Sequence, residues 1–143
     1  MNNKLIQQLV GEEGEVLSAY NDHLGYLTIG VGRLIDKRKG GGITQEESRY
    51  LLYNDIKKCS DAVENALPFF KDLNEARQAV LIGMAFQMGV EGLLAFNNTL
   101  TMIRLGKYKE AGGGMLKSLW FRQTPERVRR MAKQMTTGEW VLK

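Results

Sequence analysis

Residues 13–32 read EGEVLSAYNDHLGYLTIGVG, and this stretch decides how the chain folds. Between Val16 and Val31, β-forming residues alternate at short range and are interrupted by an Asn-Asp-His turn and a glycine. The pattern predicts a small antiparallel sheet of two or three strands. Upstream, residues 3–12 carry apolar side chains at helical spacing, which predicts a short helix ending near Gly14.

The pattern downstream of the sheet is helical. Thr44 and Glu47 form a capping box, which predicts the start of a long helix over 45–66 that Pro68 ends. The segment 75–89 is apolar on nearly every side, as is typical of a helix buried in a core. Further helices are predicted near 93–104, 107–119 and 126–136. A helix, a small sheet, a long helix and a helical bundle in this order indicate the α+β class.

Two glycine triplets interrupt this pattern, one at 40–42 and one at 112–114. The second triplet falls inside the predicted helix 107–119, where each glycine costs about 1 kcal/mol relative to alanine. We therefore expect this helix to be weak, to start late or to fray. The first triplet lies between elements and is interpreted as a flexible connection.

The length and composition predict one domain, 1–143, because 143 residues with 43% hydrophobic content can bury one core. Within it we expect a sheet-containing lobe over approximately 13–55 and a helical lobe built from 1–12 and 68–143, linked by the helix 45–66. No apolar run approaches the ~20 residues of a membrane span, and the first residues do not resemble a signal peptide. The protein is therefore expected to remain soluble in a cytoplasm.

The chemistry-bearing residues exclude several classes of site. Cys59 is the single cysteine and His23 the single histidine, so neither an internal disulfide nor a Cys/His zinc cluster can form. We expect no metal and no cofactor. The formal net charge of +4 favours anionic partners, but it does not choose among a cell wall, a nucleic acid and a membrane surface.

Two carboxylates lie at a suggestive spacing in the opening stretch. Glu13 ends the first predicted helix, Asp22 follows nine positions later in a turn, and Thr28 follows six positions after that on a strand. Glycoside hydrolysis needs a protonated carboxyl for the leaving oxygen and an ionised carboxylate that activates water or attacks the sugar. A helix-end acid that faces a sheet-borne aspartate can supply both groups.

This segment resembles the catalytic signature Glu, eight residues, Asp, five residues, Thr of the phage-type lysozymes, of the kind made by T-even bacteriophages. The similarity extends to the stretches 79–89, 117–127 and 137–140, and so covers most of the chain. The resemblance implies that Glu13 is the general acid, that Asp22 positions and activates water, and that Thr28 helps to hold this water. Hydrolysis in this family inverts the anomeric carbon, which implies that the carboxyl groups of Glu13 and Asp22 are separated by ~6.5–9.5 Å.

The resemblance also assigns supporting and substrate-binding positions. Arg127 matches an arginine that pairs with the catalytic glutamate. The positions that match the sugar cleft are Phe86 and Gln87 on one wall and Leu34 on the opposite wall, with Asn98 and Thr99 as weaker candidates. Core packing is an equal alternative for Phe86, and helix capping is an equal alternative for the last two residues.

The chain departs from the family pattern after the Gly-x-Gly of the sheet, where Arg33 stands in place of a histidine found in many relatives. Its partner aspartate corresponds to Asp55 on the long helix, so we predict an Arg33–Asp55 ion pair. Leu24 replaces an acidic cleft residue, and the segment between Gly32 and Thr44 is shorter than its counterpart. The resemblance therefore predicts the reaction more directly than it predicts substrate affinity and specificity.

The function implied is an endolysin-type muramidase that hydrolyses the β-1,4 bond between N-acetylmuramic acid and N-acetylglucosamine in bacterial peptidoglycan. We expect a monomer without nucleic-acid or stable membrane association, made in the host cytoplasm and reaching the wall after membrane disruption. A lytic transglycosylase is one alternative, although it needs only the acid, and Asp22 and Thr28 favour water as nucleophile. A catalytically inactive wall- or nucleic-acid-binding module is the other.

Overall fold

The computed structural model describes residues 3–38 and 40–143. The chain divides into two units, Met1–Leu51 and Leu52–Lys143.

The first unit contains the predicted sheet and also the predicted short helix, which the sequence had assigned to the helical lobe. Helix α1, Asn3–Glu13, is followed by three strands, β1 (Val16–Asn21), β2 (Leu27–Gly30) and β3 (Arg33–Leu34). The strands are antiparallel in the order β1-β2-β3. Both sequence predictions are confirmed.

Thr28 lies at the centre of this sheet. It is opposite Tyr20 of β1 and opposite Leu34 of β3. An irregularity in the pairing between Val16 and Tyr20 bends β1 away from a regular ladder. The middle strand therefore holds the Thr28 side chain among its neighbours, and its exposed fraction is only 4%.

The long helix α2 extends over Gln45–Ala66, as predicted. Its start is the predicted capping box, in which the Thr44 amide donates to Glu47 Oε1 at 2.9 Å and the Glu47 amide donates to Thr44 Oγ1 at 3.1 Å. Pro68 follows two residues after its end. Of its residues, only Val63 is buried.

The second unit is a bundle of helices around one core. After a short 3₁₀ turn, Phe70–Asp72, the chain forms α3 (Glu75–Leu94), α4 (Asn97–Arg104), α5 (Tyr108–Leu116), α6 (Leu119–Gln123) and α7 (Pro125–Thr137). Every helix from α3 to α7 contributes buried apolar side chains to this core, including Leu81, Met84, Ile103, Met115, Trp120, Val128 and Met135. The prediction that segment 75–89 is a core helix is confirmed.

The boundaries of two predicted helices differ from those observed. Residues 93–94 still belong to α3, which continues beyond a kink at Gly89 (φ 79°), so α4 begins only at Asn97. The predicted helix 107–119 ends at Leu116, and a separate helix α6 begins after Ser118, whose hydroxyl accepts the Phe121 amide. A serine N-cap starts a new helix in place of continuing the old one.

The expectation that this helix starts late or frays at the second glycine triplet was wrong, because α5 begins at Tyr108 and runs through all three glycines. That the helix is weak stays a prediction. A Cβ added at Gly112 would lie 3.0 Å from the Ala132 carbonyl oxygen of α7 and would collide with Thr136 Oγ1. A Cβ at Gly114 would lie 2.8 Å from Thr99 Oγ1 of α4. Two of the three glycines therefore let neighbouring helices approach closely.

The first glycine triplet also contains a packed position. Gly41 donates its amide to the Arg38 carbonyl at 2.9 Å, and a Cβ there would lie 3.2 Å from that same oxygen. The interpretation of 40–42 as a merely flexible connection was therefore wrong for Gly41, which closes a tight turn.

The α+β class is confirmed by a small antiparallel sheet and a set of helices that are segregated along the chain. Among the described residues no single helix has both the length and the hydropathy of a membrane span, and α3 with α4 meets that criterion only as a pair bent by 101°.

Candidate active site

Glu13 is the last residue of α1, and the chain leaves the helix at Gly14. Gly14 has φ +75°, and its amide donates to the Val10 carbonyl at 2.9 Å, which is a left-handed glycine termination. The Glu13 side chain is exposed and lies beside the turn between β2 and β3, since a Cβ built at Gly32 would be 3.7 Å from Glu13 Oε2. The candidate acid therefore lies at the edge of the sheet.

Asp22 occupies the turn between β1 and β2. Its Oδ1 accepts the amides of Leu24 at 2.9 Å and Tyr26 at 2.8 Å, so the carboxylate folds the turn around itself. The Asp22 amide in turn donates to the Tyr26 carbonyl at 2.9 Å, and Gly25 at φ +81° completes the turn. One carboxylate oxygen is thus fixed by the backbone, and Oδ2 accepts no hydrogen bond from the described part of the chain.

Thr28 is held by the same backbone. Its Oγ1 donates to the Tyr26 carbonyl at 2.8 Å, and the side chain is buried. Because a hydroxyl has one proton, this bond leaves only acceptor capacity on Oγ1. Asp22 and Thr28 are therefore joined through Tyr26, a connection that the sequence pattern did not indicate because it runs through backbone atoms.

Arg33 has a different partner from the one predicted. It is ion-paired with Glu47 at 2.7 Å, whereas the sequence predicted Asp55, eight residues further along α2. Glu47 is preferred because its carboxylate is already fixed at the start of α2 by the Thr44 amide. The hydrogen bond from Arg33 and the bond from the Thr44 amide lower the pKa of Glu47 to about 2, and the pKa of Arg33 is raised by the same pair.

A groove of about 730 Å³ lies in the first unit, between the sheet and the start of α2. It is lined on one side by the chain from Ile29 to Arg33 and on the other by Glu46, Glu47 and Tyr50. Gly32, against which the Glu13 carboxyl lies, belongs to this lining. Leu34, the predicted wall residue, is half-buried and pairs with Thr28 across the sheet. The predicted catalytic trio and Leu34 therefore all belong to the first unit.

The remaining predicted site residues belong to the second unit. Phe86 is 47% exposed and lines a groove of about 540 Å³ together with Arg127 and Trp140. Arg127 donates to the Gly83 carbonyl at 3.4 Å, and its pairing with Glu13 stays a prediction.

Gln87 and Trp120 form a hydrogen-bonded pair that the sequence did not single out. The Trp120 indole donates to Gln87 Oε1 at 2.9 Å, and Gln87 Nε2 donates to Thr124 Oγ1 at 3.4 Å. Both residues line a groove of about 470 Å³, with Ser118 and Gln123 beside them. The amide of Gln87 is therefore fixed in one orientation.

Asn98 and Thr99 lie in the first turn of α4, where the sequence offered capping as the alternative. Neither caps the helix, because α4 follows Phe96 without a side-chain cap. Asn98 is exposed and Thr99 is 7% exposed, and both line a shallow cavity of about 390 Å³ with Phe96 and Gly114.

Among the described residues, no group of three or more His, Cys, Asp or Glu side chains is arranged to hold a metal ion. The candidate catalytic groups of the first unit are the exposed Glu13 carboxyl, the anchored Asp22 carboxylate and the Thr28 hydroxyl.

In the described part of the chain, a small three-stranded antiparallel sheet combined with seven helices is consistent with the lysozyme-like α+β fold. Residues 10–134 match the phage lysozyme family model, and the chain belongs to this family. At the level of the family, membership supports a glycoside hydrolase that acts on peptidoglycan.

Individual relatives agree with the family assignment. The chain is 32% identical to Probable T4-type lysozyme 1 of Dictyostelium discoideum, over 89% of this chain and 90% of that protein. It is 33% identical to the endolysin of Salmonella phage P22, over 80% of this chain and 79% of that protein. A third relative, the pre-baseplate central spike protein Gp5 of Enterobacteria phage T4, is 32% identical over 96% of this chain, which spans only 28% of that protein.

Proposed function

We propose that this chain is an endolysin-type muramidase that hydrolyses the β-1,4 bond between N-acetylmuramic acid and N-acetylglucosamine with inversion at the anomeric carbon. Glu13 is the general acid, Asp22 is the general base, and Thr28 holds the attacking water. No metal or cofactor takes part in this mechanism. The observation that carries the proposal is the connection of Asp22 and Thr28 through the backbone of Tyr26.

This connection is suited to orienting water. Asp22 Oδ1 is occupied by two backbone amides, so Oδ2 is the oxygen left to accept a proton. Thr28 Oγ1 donates its one hydrogen bond to the Tyr26 carbonyl, so it can only accept a hydrogen bond from a water. A water that donates one proton to each acceptor has a lone pair free to attack the anomeric carbon.

The proton balance of the reaction follows from these roles. Glu13 gives its proton to the glycosidic oxygen while the bond from that oxygen to the anomeric carbon breaks. The water oxygen bonds to that carbon from the opposite face, and one of its protons passes to Asp22. Solvent then returns a proton to Glu13 and takes one from Asp22. Because the bond cut is β, the first product is the α anomer.

Substrate binding is proposed for the positions that match the sugar cleft of the family. Leu34 and the pair of Phe86 and Gln87 contact sugar rings, and Asn98 and Thr99 contribute a more distant contact. The 47% exposure of Phe86 supports ligand contact over core packing, since an aromatic face open to solvent can stack on a sugar. Arg127 is proposed to pair with the Glu13 carboxylate and stabilise its ionised form after proton transfer.

The proposed biological role is host-cell lysis by an endolysin. The protein is made in the host cytoplasm as a monomer and reaches peptidoglycan when the inner membrane is breached. Its net charge of +4 assists encounter with an anionic wall, while nucleic acid and membrane are not proposed as partners.

The proposal is tested by clearing of purified peptidoglycan with matched variants. We expect Glu13→Gln and Asp22→Asn each to lower the rate at least about 100-fold, the lower end of the range for general acid–base groups. Asparagine retains an Oδ1 that can accept both turn amides, so Asp22→Asn removes the charge and not the turn. Glu15→Gln, the same change as at Glu13 on an exposed residue two positions away, is the control and should retain the wild-type rate.

The outcomes separate the alternatives. If Asp22→Asn remains active and the fragments carry anhydro ends, the protein is a lytic transglycosylase. If the wild type clears nothing but binds peptidoglycan or DNA, it is a binding module on a lysozyme fold.

A further inference from the structure

The turn that carries Asp22 is covered by a second group of side chains. The Arg38 guanidinium carbon lies 3.3 Å from the centroid of the Tyr26 ring. Arg38 Nε donates to Asp36 Oδ1 at 2.9 Å, and a second nitrogen pairs with Asp36 Oδ2, so the ion pair is bidentate. A planar guanidinium that is fixed by a bidentate carboxylate is oriented for stacking in a way that a lysine is not.

The loop after β3 is folded to place this pair. The Arg38 amide donates to Asp36 Oδ1 at 3.1 Å, and the Gly42 amide donates to the Leu34 carbonyl of β3 at 3.0 Å. Gly41 closes the turn against the pair, since a Cβ there would lie 3.0 Å from Asp36 Oδ1. The mutual hydrogen bond lowers the pKa of Asp36 and raises that of Arg38, so it favours the charged form of both groups.

Tyr26 is the point at which this group meets the candidate site. Its amide donates to Asp22 Oδ1, and its carbonyl accepts from both the Asp22 amide and Thr28 Oγ1. Tyr26 is 37% exposed and does not belong to the buried core of the helical bundle. The stacked guanidinium supplies a contact that limits motion of the ring and hence of the backbone to which Asp22 and Thr28 are bound.

We propose that Arg38, stacked on Tyr26 and paired with Asp36, is a positioning residue that holds the Asp22 turn in the geometry needed for water activation. The effect of Arg38 on catalysis rests on the proposed function, whereas its restraint of the Asp22 turn does not. Arg38 acts through Tyr26 and does not itself need to touch substrate. The short loop between Gly32 and Thr44 thereby gains a role in catalysis.

The structural part is tested by amide hydrogen exchange in Arg38→Ala, with Lys37→Ala as the matched control. Lys37 is an exposed neighbour in the same loop, and its removal deletes the same charge without touching the stack. We expect the amides of Leu24 and Tyr26 to exchange about tenfold faster in Arg38→Ala than in wild type or the control. Both amides donate to Asp22 Oδ1, and this turn is less restrained once the stacked guanidinium is removed. Equal exchange in the two variants would overturn the proposal.

The catalytic part is tested by steady-state kinetics on soluble peptidoglycan fragments. We expect kcat to fall about tenfold in Arg38→Ala with KM nearly unchanged, because small misplacement of a catalytic group costs rate. Arg38→Lys keeps the charge and should recover only part of kcat. A loss confined to KM would instead make Arg38 a contact for the anionic substrate and would overturn the positioning role.

A double variant shows whether Arg38 acts through Asp22. In the Asp22→Asn background, Arg38→Ala should lower the residual rate less than twofold, because the group that Arg38 positions is gone. A full tenfold loss in that background would overturn the inference. If the wild type releases no fragments at all, the proposed function fails, whereas the exchange measurement still decides whether Arg38 restrains the turn.

Discussion

The glycine triplet in α5 offers two substitutions that are chemically identical, adjacent in sequence and opposite in expected effect. At Gly113 an added Cβ would meet no atom within 4 Å, so the site is open. At Gly112 the Cβ would lie 3.0 Å from the Ala132 carbonyl and collide with Thr136 Oγ1. Gly112, the residue before this open position, therefore lies where α5 and α7 approach each other closely.

The magnitudes follow from helix propensity and packing. Alanine is about 0.5–1 kcal/mol more favourable than glycine inside a helix, so Gly113→Ala should raise the free energy of unfolding by about that amount. Gly112→Ala gains the same propensity, but it must push α7 away or distort it, and overpacking costs about 1–3 kcal/mol. The buried backbone carbonyl of Ala132 cannot rotate aside, so we expect a net loss of up to about 2 kcal/mol after the propensity gain is subtracted.

Urea unfolding followed by far-UV circular dichroism measures both variants against wild type. We expect a higher midpoint for Gly113→Ala and a lower one for Gly112→Ala, with a melting temperature difference of several degrees between them, as about 1–3 kcal/mol implies for a chain of this size. If Gly112→Ala is as stable as Gly113→Ala, the close approach of α5 and α7 does not exist and the reasoning fails.

Two further predictions concern the ends of helices. Gly138 ends α7 at φ +72°, and a Cβ there would lie 2.8 Å from Arg77 Cζ. Gly106 has φ +75° but no atom near the position of its Cβ, so Gly138→Ala should lower the melting temperature more than Gly106→Ala. Equal losses would contradict this. The pKa of Glu47 is lowered from its ordinary value of 4.5 to about 2, chiefly by the Arg33 hydrogen bond. The Glu47 carboxylate therefore stabilises the folded state at pH values above 4.5, and this contribution is lost as the pH falls toward 2. Glu47→Gln can keep the capping box but loses the charge, so its stability deficit at neutral pH should shrink over that interval, and a deficit independent of pH would refute this.

The features that could be predicted from sequence are those fixed by nearby residues. The capping box joins Thr44 and Glu47 within one helical turn, and the hairpin turn is closed by Asp22 bonding to Leu24 and Tyr26. Such bonds depend on residue type and short spacing, so they are visible in the sequence.

The features that could not be predicted depend on where distant segments meet. Arg33 pairs with Glu47 in place of Asp55 because the end of the capping box already holds a carboxylate near β3, which a motif match to relatives does not reveal. The propensity cost at Gly112 was clear, but the compensating approach of α7 was not. The Gln87–Trp120 pair likewise joins α3 to α6 across 33 positions.

The reaction itself is tested most directly by digesting peptidoglycan in water enriched in heavy oxygen and weighing the released fragments, with Glu13→Gln as the inactive control. If Asp22 and Thr28 direct water to the anomeric carbon, each new reducing end carries one heavy oxygen, and these fragments disappear with Glu13→Gln. Unlabelled anhydro fragments, or labelled fragments that persist at the wild-type rate in Glu13→Gln, would contradict hydrolysis by the proposed trio.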